Sequence, residues 1–347
     1  MKIAPIIHEI EARKDANLQY RLIHTGQHYD KKMSESFFDQ LNIPKPSINL
    51  GVGSGTQAEQ TGGIMIGYEK AIAEQMPDVC IVVGDVTSTL ACTIVAKKAG
   101  VIVAHVEGGI RSGDQTMPEE VNRIATDSIC DVFYTTSRLA NDNLARLGHK
   151  PEQIVFVGNT MIDTLRANEA RLLQPPVWEE LSLENGNYFV LTLHRPANVD
   201  EEAKLNHFLK TIAEGARGLP VIFPIHPRTK KIFEKSAESF SNIHLIDPLG
   251  YLEFNYLVKH SKAMITDSGG ITEETTVMGV PCMTLRDNTE RPETITEGTN
   301  ELVGTNPDDL KPYLDKLFNG EWKTGSIPEL WDGKTSPRII DHLVTLS

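Results

Sequence analysis

The stretch Ala263-Met264-Ile265-Thr266-Asp267-Ser268-Gly269-Gly270-Ile271-Thr272-Glu273-Glu274 decides how the chain is read. A short apolar run ends in an acid, a hydroxyl and two glycines, and a helical pattern follows at once. Strand, glycine turn and helix make the repeating unit of a parallel sheet covered on both faces, in which ligands sit beyond the carboxyl ends of strands. Two glycines let the backbone approach a ligand, and the first helix amides, with the helix dipole, suit a phosphate. The same residues also make a tight turn in which Asp267 or Ser268 caps the helix. Glu274, one turn further on, is placed either for two ribose hydroxyls or for solvent as a first-turn carboxylate.

The same alternation runs outward in both directions. Apolar runs at 188–193, 221–225, 244–246, 282–285 and 301–303 predict strands around this one. Upstream, runs at 21–24, 79–83, 101–106, 131–135 and 154–157 alternate with amphipathic segments at 57–75, 87–99 and 118–129. Gln174-Pro175-Pro176 and Glu184-Asn185-Gly186-Asn187 break the pattern. The expectation is an α/β protein of two doubly wound domains, residues 1–172 and 173–347, facing a cleft, with the last helix packing back on the first domain.

Composition narrows the function classes. The 347 residues carry 47 acidic and 34 basic side chains, for a net charge of −13, and contain no basic run. That balance argues against a nucleic-acid surface and leaves an anion to be bound through backbone amides. No apolar stretch reaches the roughly 20 residues of a membrane-spanning helix, and the opening segment lacks the apolar run of a signal peptide. Cys80, Cys92, Cys130 and Cys282 are scattered, with neither disulfide nor zinc spacing. The expectation is a cytoplasmic protein with no metal and, lacking GxGxxG after a strand, no dinucleotide cofactor. Gly51-Val52-Gly53-Ser54-Gly55 follows no buried strand and reads as a flexible loop.

Further strand ends carry chemistry. Glu107 emerges from an apolar strand into Gly108-Gly109-Ile110-Arg111, a poor place for a merely solvated acid. Pro118 and the acids beside it mark a helix start; Thr116 and Glu119 have capping-box spacing, and Arg123 is one helical ion-pair step beyond Glu119. Asp85, in Gly84-Asp85-Val86, is a helix cap or a functional acid. His194, at a strand end in Leu193-His194-Arg195-Pro196, is a candidate acid–base group, and His226 holds the matching place one strand later. Three carboxylates of one domain and a histidine of the other would face a common cleft.

Taken in order, these motifs resemble the non-hydrolysing UDP-N-acetylglucosamine 2-epimerases. The resemblance runs over almost the whole chain through Gln27-His28, Gly84-Asp85, His105-Val106-Glu107 with Arg111, Pro118-Glu119-Glu120 with Asn122-Arg123, and Gly158-Asn159-Thr160. It continues through His194-Arg195, Asp267-Ser268-Gly269-Gly270 with Glu273-Glu274, and Arg286-Asp287 with Thr289-Glu290-Arg291-Pro292-Glu293. It implies the glycosyltransferase-B architecture of two Rossmann-like domains. It implies Asp85, Glu107, Glu119 and His194 as catalytic residues, and Ser268, Gly269 and Gly270 as a diphosphate loop. Glu274 becomes the ribose ligand, and Lys2, Arg123, Phe254 and Arg291 become further substrate contacts. The implied reaction uses neither metal nor nicotinamide: UDP leaves as the C2 proton is removed, and adds back as a proton returns on the other face. A homodimer through the first domain, and an activating second sugar nucleotide near Gln27, His28 and His226, are further implications.

The chain also departs from the family pattern. Members begin with a buried strand and a Gly-Thr-Arg-Pro-Glu loop ahead of the helix that here starts at about Lys2. The expectation is therefore that the first strand and its arginine are missing, with weak stability and weak UDP binding as consequences. Val86, Gly109 and Pro196-Ala197-Asn198 are smaller departures that keep a diacetamido-uronate epimerase in play. A hydrolysing 2-epimerase, a glycosyltransferase needing an acceptor sugar, and an inactive UDP-sugar-binding protein are the other readings.

Overall fold

The computed structural model describes residues 1–26, 37–225 and 240–346. The chain divides into two units, residues 1–167 with 329–347, and residues 168–328. The division thus falls at 167/168 where the sequence suggested 172/173, and the last helix belongs to the first unit.

The first unit runs α1 (Ala4–Ala12), β1 (Ile23–His24), β2 (Ile48–Asn49), α2 (Gln57–Glu74), β3 (Val79–Val83), α3 (Thr87–Lys98), β4 (Ile102–Val106), α4 (Pro118–Asp127), β5 (Val132–Thr135), α5 (Arg138–Arg146), β6 (Ile154–Phe156) and α6 (Thr160–Asn168). Strands β3-β4-β5-β6 form a four-stranded parallel sheet, and β1 pairs in parallel with β2 in a two-stranded one. Helix α2 opens with a capping box: Glu59 N–H donates to Thr56 Oγ1 (3.2 Å), and Thr56 N–H donates to Glu59 Oε2 (2.8 Å).

The strands of the four-stranded sheet are largely apolar because both faces are covered. In β5, Phe133 joins a cluster with Ile64, Tyr68 and Val103, while Val132 and Tyr134 point the other way into a cluster with Ile6 and Val106.

The second unit contains β7 (Phe189–Thr192), α7 (Glu202–Gly215), β8 (Val221–Pro224), β9 (Ile243–Ile246), α8 (Tyr251–His260), β10 (Ala263–Thr266), α9 (Gly269–Met278), β11 (Cys282–Thr284), β12 (Asn300–Leu302) and α10 (Leu310–Phe318). Its six-stranded sheet is parallel in the order β12-β11-β10-β7-β8-β9. Again residues alternate: Phe189, Leu191, Phe223 and Ile265 enter one core cluster, and Val190, Ile222 and Met264 the other. The pair β7 and β10 is central, so the loops after them leave the sheet side by side.

The last helix, α11 (Thr335–Leu343), returns to the first unit because its apolar stripe and its N-terminus are both satisfied there. Ile339, Ile340 and Leu343 pack in the cluster with Ile6. Asp163 on α6 accepts from the Thr335 amide (2.9 Å) and from the Ser336 amide (2.6 Å) and hydroxyl (2.8 Å), which answers the unpaired N–H groups of a helix start. Among the described residues, no helix is long and apolar enough to cross a membrane.

Candidate active site

In the first unit, the candidate side chains Asp85 and Glu107 lie where β3 and β4 end. The two strands pair over 79–83 and 102–106, so the loops that follow are neighbours. Asp85 does not cap α3; the N-cap is Val86, which makes no side-chain cap. Asp85 Oδ2 instead takes Nη2 of Arg123 at 2.5 Å, and its main-chain carbonyl accepts from Asn122 Nδ2 (2.9 Å).

Glu107 is 4% exposed and sits at φ +72, a left-handed conformation unusual for a residue with a side chain. Its amide donates to the Tyr134 carbonyl (2.9 Å), which pins the turn, and its Oε2 meets Lys2 Nζ at 2.7 Å. Lys2 also borders Gly84, where an added Cβ would stand 3.4 Å from Nζ. Lys2, Gly84 and Glu107 are thus gathered at one point. A strained backbone persists only where its surroundings over-determine it, and such residues concentrate in functional sites.

Glu119 and Glu120 behave differently. The capping box expected from Thr116 and Glu119 does not form, because the Thr116 hydroxyl turns to Asp114 Oδ1 (2.6 Å) and the N-cap is Met117. Arg123 pairs with Glu120 (2.7 Å), not with Glu119, and through its other nitrogen with Asp85. Glu120 further accepts from the amides of Ser112 (2.9 Å) and Gly113 (3.0 Å). Burial acts to raise its pKa, but the Ser112 amide, Arg123 and the Gly113 amide outweigh burial and hold it low. Glu119 is half-buried on the first turn of α4 and has no hydrogen bond or ion pair with another described residue. Arg123, expected as a substrate contact, has its guanidinium engaged by two protein carboxylates.

In the second unit, His194 follows β7 with its side chain 58% exposed, and its Nδ1 lies 2.7 Å from Oδ1 of Asp267. Asp267 is fully buried at the end of β10. It also accepts from the amides of His194 (3.0 Å) and Arg195 (2.9 Å) and from Asn198 Nδ2 (3.2 Å). Burial pushes this carboxyl up, but the imidazole and the amides outweigh it, and its pKa is lowered. Asp267 therefore orients the histidine rather than capping a helix.

Ser268 is the N-cap of α9, yet its side chain accepts no capping hydrogen bond. The amides of Gly269 and Gly270, at the open end of that helix, have no hydrogen-bond partner among the described residues. A Cβ at Gly269 would lie 3.2 Å from Arg286 Nη1, whereas Gly270 faces open space. Arg286 is clamped by both oxygens of Glu290 (2.7 and 2.8 Å), and Arg291 donates from Nε to Glu273. The pKa of Glu290 stands at about 2, because Arg286 and then Arg291 outweigh burial.

Glu274 is buried and accepts from Tyr251 Oη (2.7 Å). Burial first, and then the charge of Glu273, push its carboxyl up to about 7 against the hydrogen bonds of Tyr251 and Asn255. Phe254 on α8 packs against the cluster of Val190, Leu257 and Met264. Gln27, His28 and His226 lie outside the described residues.

Two groups that sequence reading did not single out as site residues complete the arrangement. Asp267 was visible only as a cap; its pairing with His194 depends on β7 and β10 being adjacent. Asp127, at the end of α4, holds His105 (2.7 Å) and the amide of Gly109 (3.0 Å), and gave no local signal beyond an acid on a buried face.

The family model described as UDP-N-acetylglucosamine 2-epimerase matches residues 10–344. The UDP-N-acetylglucosamine 2-epimerase of Methanocaldococcus jannaschii is 41% identical over 98% of this chain and 94% of its own length. Its crystal structure in complex with UDP-GlcNAc and UDP superposes with a TM-score of 0.87, covering 99% of this chain and 96% of that one. The UDP-2,3-diacetamido-2,3-dideoxy-D-glucuronate 2-epimerase of Pseudomonas aeruginosa is 40% identical over 94% of this chain and 91% of its own. The two-unit fold, with its parallel sheets and their flanking helices, is that of these structures, and the match extends from end to end of the described chain. On this ground the chain belongs to the UDP-N-acetylglucosamine 2-epimerase family.

Proposed function

We propose that this protein interconverts UDP-N-acetylglucosamine and UDP-N-acetylmannosamine by elimination and re-addition of UDP. A base removes the C2 proton, and the electron pair of that C–H bond becomes the C1=C2 double bond. The C1–O bond breaks and UDP departs with its electrons. UDP oxygen then re-forms the bond to C1 while an acid delivers a proton to the opposite face of C2. The reaction needs two acid–base groups and charge stabilisation for the leaving diphosphate.

The second unit supplies the nucleotide contacts in this reading: the amides of Gly269 and Gly270 with Ser268 for the diphosphate, Glu274 for the ribose, and Phe254 and Arg291 nearby. Asp85, Glu107 and Glu119 of the first unit and His194 of the second are the acid–base residues. Lys2 accompanies Glu107, and Arg123 fixes Asp85. The observation that carries the proposal is Glu107 itself: a buried carboxylate in a strained turn at a strand end, beside a lysine.

The test is proton exchange at C2. In heavy water, UDP-N-acetylglucosamine should take up deuterium at C2 while a second intact sugar nucleotide appears in the proton spectrum. Free reducing sugar would favour hydrolysis, and UDP-sugar binding with no deuterium uptake would leave only a binding protein. The 40% identical relative supports a second reading, an epimerase of a diacetamido-uronate sugar nucleotide. Offering both sugar nucleotides in the same assay decides between them.

We also propose a homodimer that works in the cytoplasm. Ile66, Val121 and Ile124 are exposed apolar residues of the first unit that a second copy would cover, and the buried Cys80, Cys92, Cys130 and Cys282 are free thiols suited to a reducing compartment. Light scattering on the purified protein tests the dimer.

A further inference from the structure

His105 lies on β4 with no exposed surface, and both its ring nitrogens are engaged. Nδ1 is 2.7 Å from Oδ1 of Asp127, and Nε2 is 2.8 Å from the main-chain oxygen of Gly84. A carboxylate and a peptide carbonyl both accept. A neutral imidazole carries one N–H and would turn a lone pair towards one of them, whereas the imidazolium donates to both. The carboxylate form of Asp127 is fixed from its other side: Oδ2 takes the Gly109 amide (3.0 Å) and Arg111 Nη1 (2.6 Å).

Gly84 precedes Asp85, and Gly109 follows the Glu107 turn by two residues. A single buried cation with its counter-ion therefore ties together the two loops that present these acids. We propose that His105 is a positioning residue, held as an imidazolium that, through Asp127, locks the Gly84–Asp85 loop and the Glu107–Gly109 turn in one register.

The charged groups around it fit that state. Asp127 faces it from α4, Glu107 stands two residues along, Arg111 reaches the far side of Asp127, and Lys2 lies beyond Glu107. Burial opposes the charge, but Asp127, the Gly84 carbonyl and Glu107 outweigh it, and the imidazole pKa is raised. Burial likewise pushes Asp127 up, while His105 and Arg111 bring it below its ordinary value. The catalytic consequence rests on the reaction proposed above; the charge state does not.

Two measurements keep these apart. With nitrogen-15 in the histidine rings, and the His105 signals identified by their loss in His105→Gln, both ring nitrogens should read as protonated at pH 8, where a free imidazole is neutral. An unprotonated ring nitrogen at that pH overturns the proposal, whether or not the protein turns over. In the second measurement, His105→Asn keeps a donor towards Asp127 and loses the one towards Gly84, and His105→Gln does the reverse.

Each variant should lower the rate of C2 exchange at least tenfold while the KM for the UDP-sugar stays within twofold. A variant that loses thermal stability but keeps wild-type exchange per folded molecule assigns His105 a merely structural role and overturns the proposal. If neither variant folds, the His105 signals are identified in the wild type by the proximity of the ring protons to the neighbouring Gly109 amide, and the nitrogen spectrum decides alone.

Discussion

If Glu274 holds the ribose, as proposed, nucleotide binding depends on pH. The Glu274 carboxyl sits at about 7, against an ordinary 4.5, because burial and then the neighbouring Glu273 charge penalise the anion. A carboxylate accepts from two ribose hydroxyls at once, whereas the protonated group gives up part of that capacity. The free protein holds the competent form in about a tenth of its molecules at pH 6 and about nine-tenths at pH 8. Apparent affinity scales with that fraction, so UDP-N-acetylglucosamine should bind about tenfold more tightly at pH 8 than at pH 6.

Stability runs the other way. Between its unfolded pKa near 4.5 and its folded pKa near 7, the native carboxyl keeps a proton that the unfolded one has released. Its contribution is complete below the first value and is lost as pH rises through the second, a change of about 3 kcal/mol at most. Titration calorimetry with the intact sugar nucleotide, whose diphosphate diester does not ionise in this window, measures the binding arm.

Glu274→Gln should flatten the binding profile at the weak, acid-side level. Glu293→Gln serves as the control, since burial also lifts Glu293 to about 7 and that variant should keep the slope. A wild-type Kd that changes less than about twofold from pH 6 to 8, or a slope that survives in Glu274→Gln, refutes the assignment of Glu274 to the ribose.

Other residues give separate tests. Glu107→Gln keeps the side-chain shape and should cut C2 exchange by about 10²–10⁴-fold with the circular dichroism unchanged; retained exchange removes Glu107 from the chemistry. Gly109→Ala puts a Cβ 2.4 Å from the Ala140 carbonyl oxygen at φ +82, so urea unfolding should show a loss of ~3 kcal/mol, and an unchanged midpoint would contradict this packing. Asp267→Asn removes the charge and turns one of the two acceptor oxygens into a donor, so the His194 ring and its amides cannot all be satisfied and kcat should fall about 10²-fold with KM little changed; a change in KM alone would point to nucleotide binding instead.

Most strands were legible because apolar residues pack on both of their faces, and continuous runs such as Val79–Val83 and Phe189–Thr192 need no tertiary information. Ile48–Asn49 was not: two residues, one of them an exposed polar one, carry no period. For the last helix, which the sequence expects to pack back on the first domain, it was the anchoring contact that was not legible, since Asp163 meets Thr335 and Ser336 across a long sequence separation. Glycine loops at strand ends drew attention to the candidate site, but the partners within it were not legible. Asp85 reads as a cap and is an ion-pair partner of Arg123; Thr116 and Glu119 have capping-box spacing that Asp114 pre-empts by taking the Thr116 hydroxyl.

The adjacent acids Glu119-Glu120 and Glu273-Glu274 show why spacing alone could not finish the assignment. Successive helix residues point about 100° apart, so the two members of each pair meet different partners. In both pairs one member is consumed by a buried arginine: Glu120 by Arg123, and Glu273 by Arg291. A buried ion pair of this kind costs several kcal/mol to break on one side, because the remaining charge is left unpaired, so these two acids hold loops and helices in place. That division leaves Glu119 and Glu274 as the members without an arginine partner among the described residues, and these are the two that the proposed reaction assigns to the substrate. It also fits the proposed nucleotide site: Arg286 and Arg291 are already neutralised by Glu290 and Glu273, so a diphosphate bound there would fall to the amides of Gly269 and Gly270.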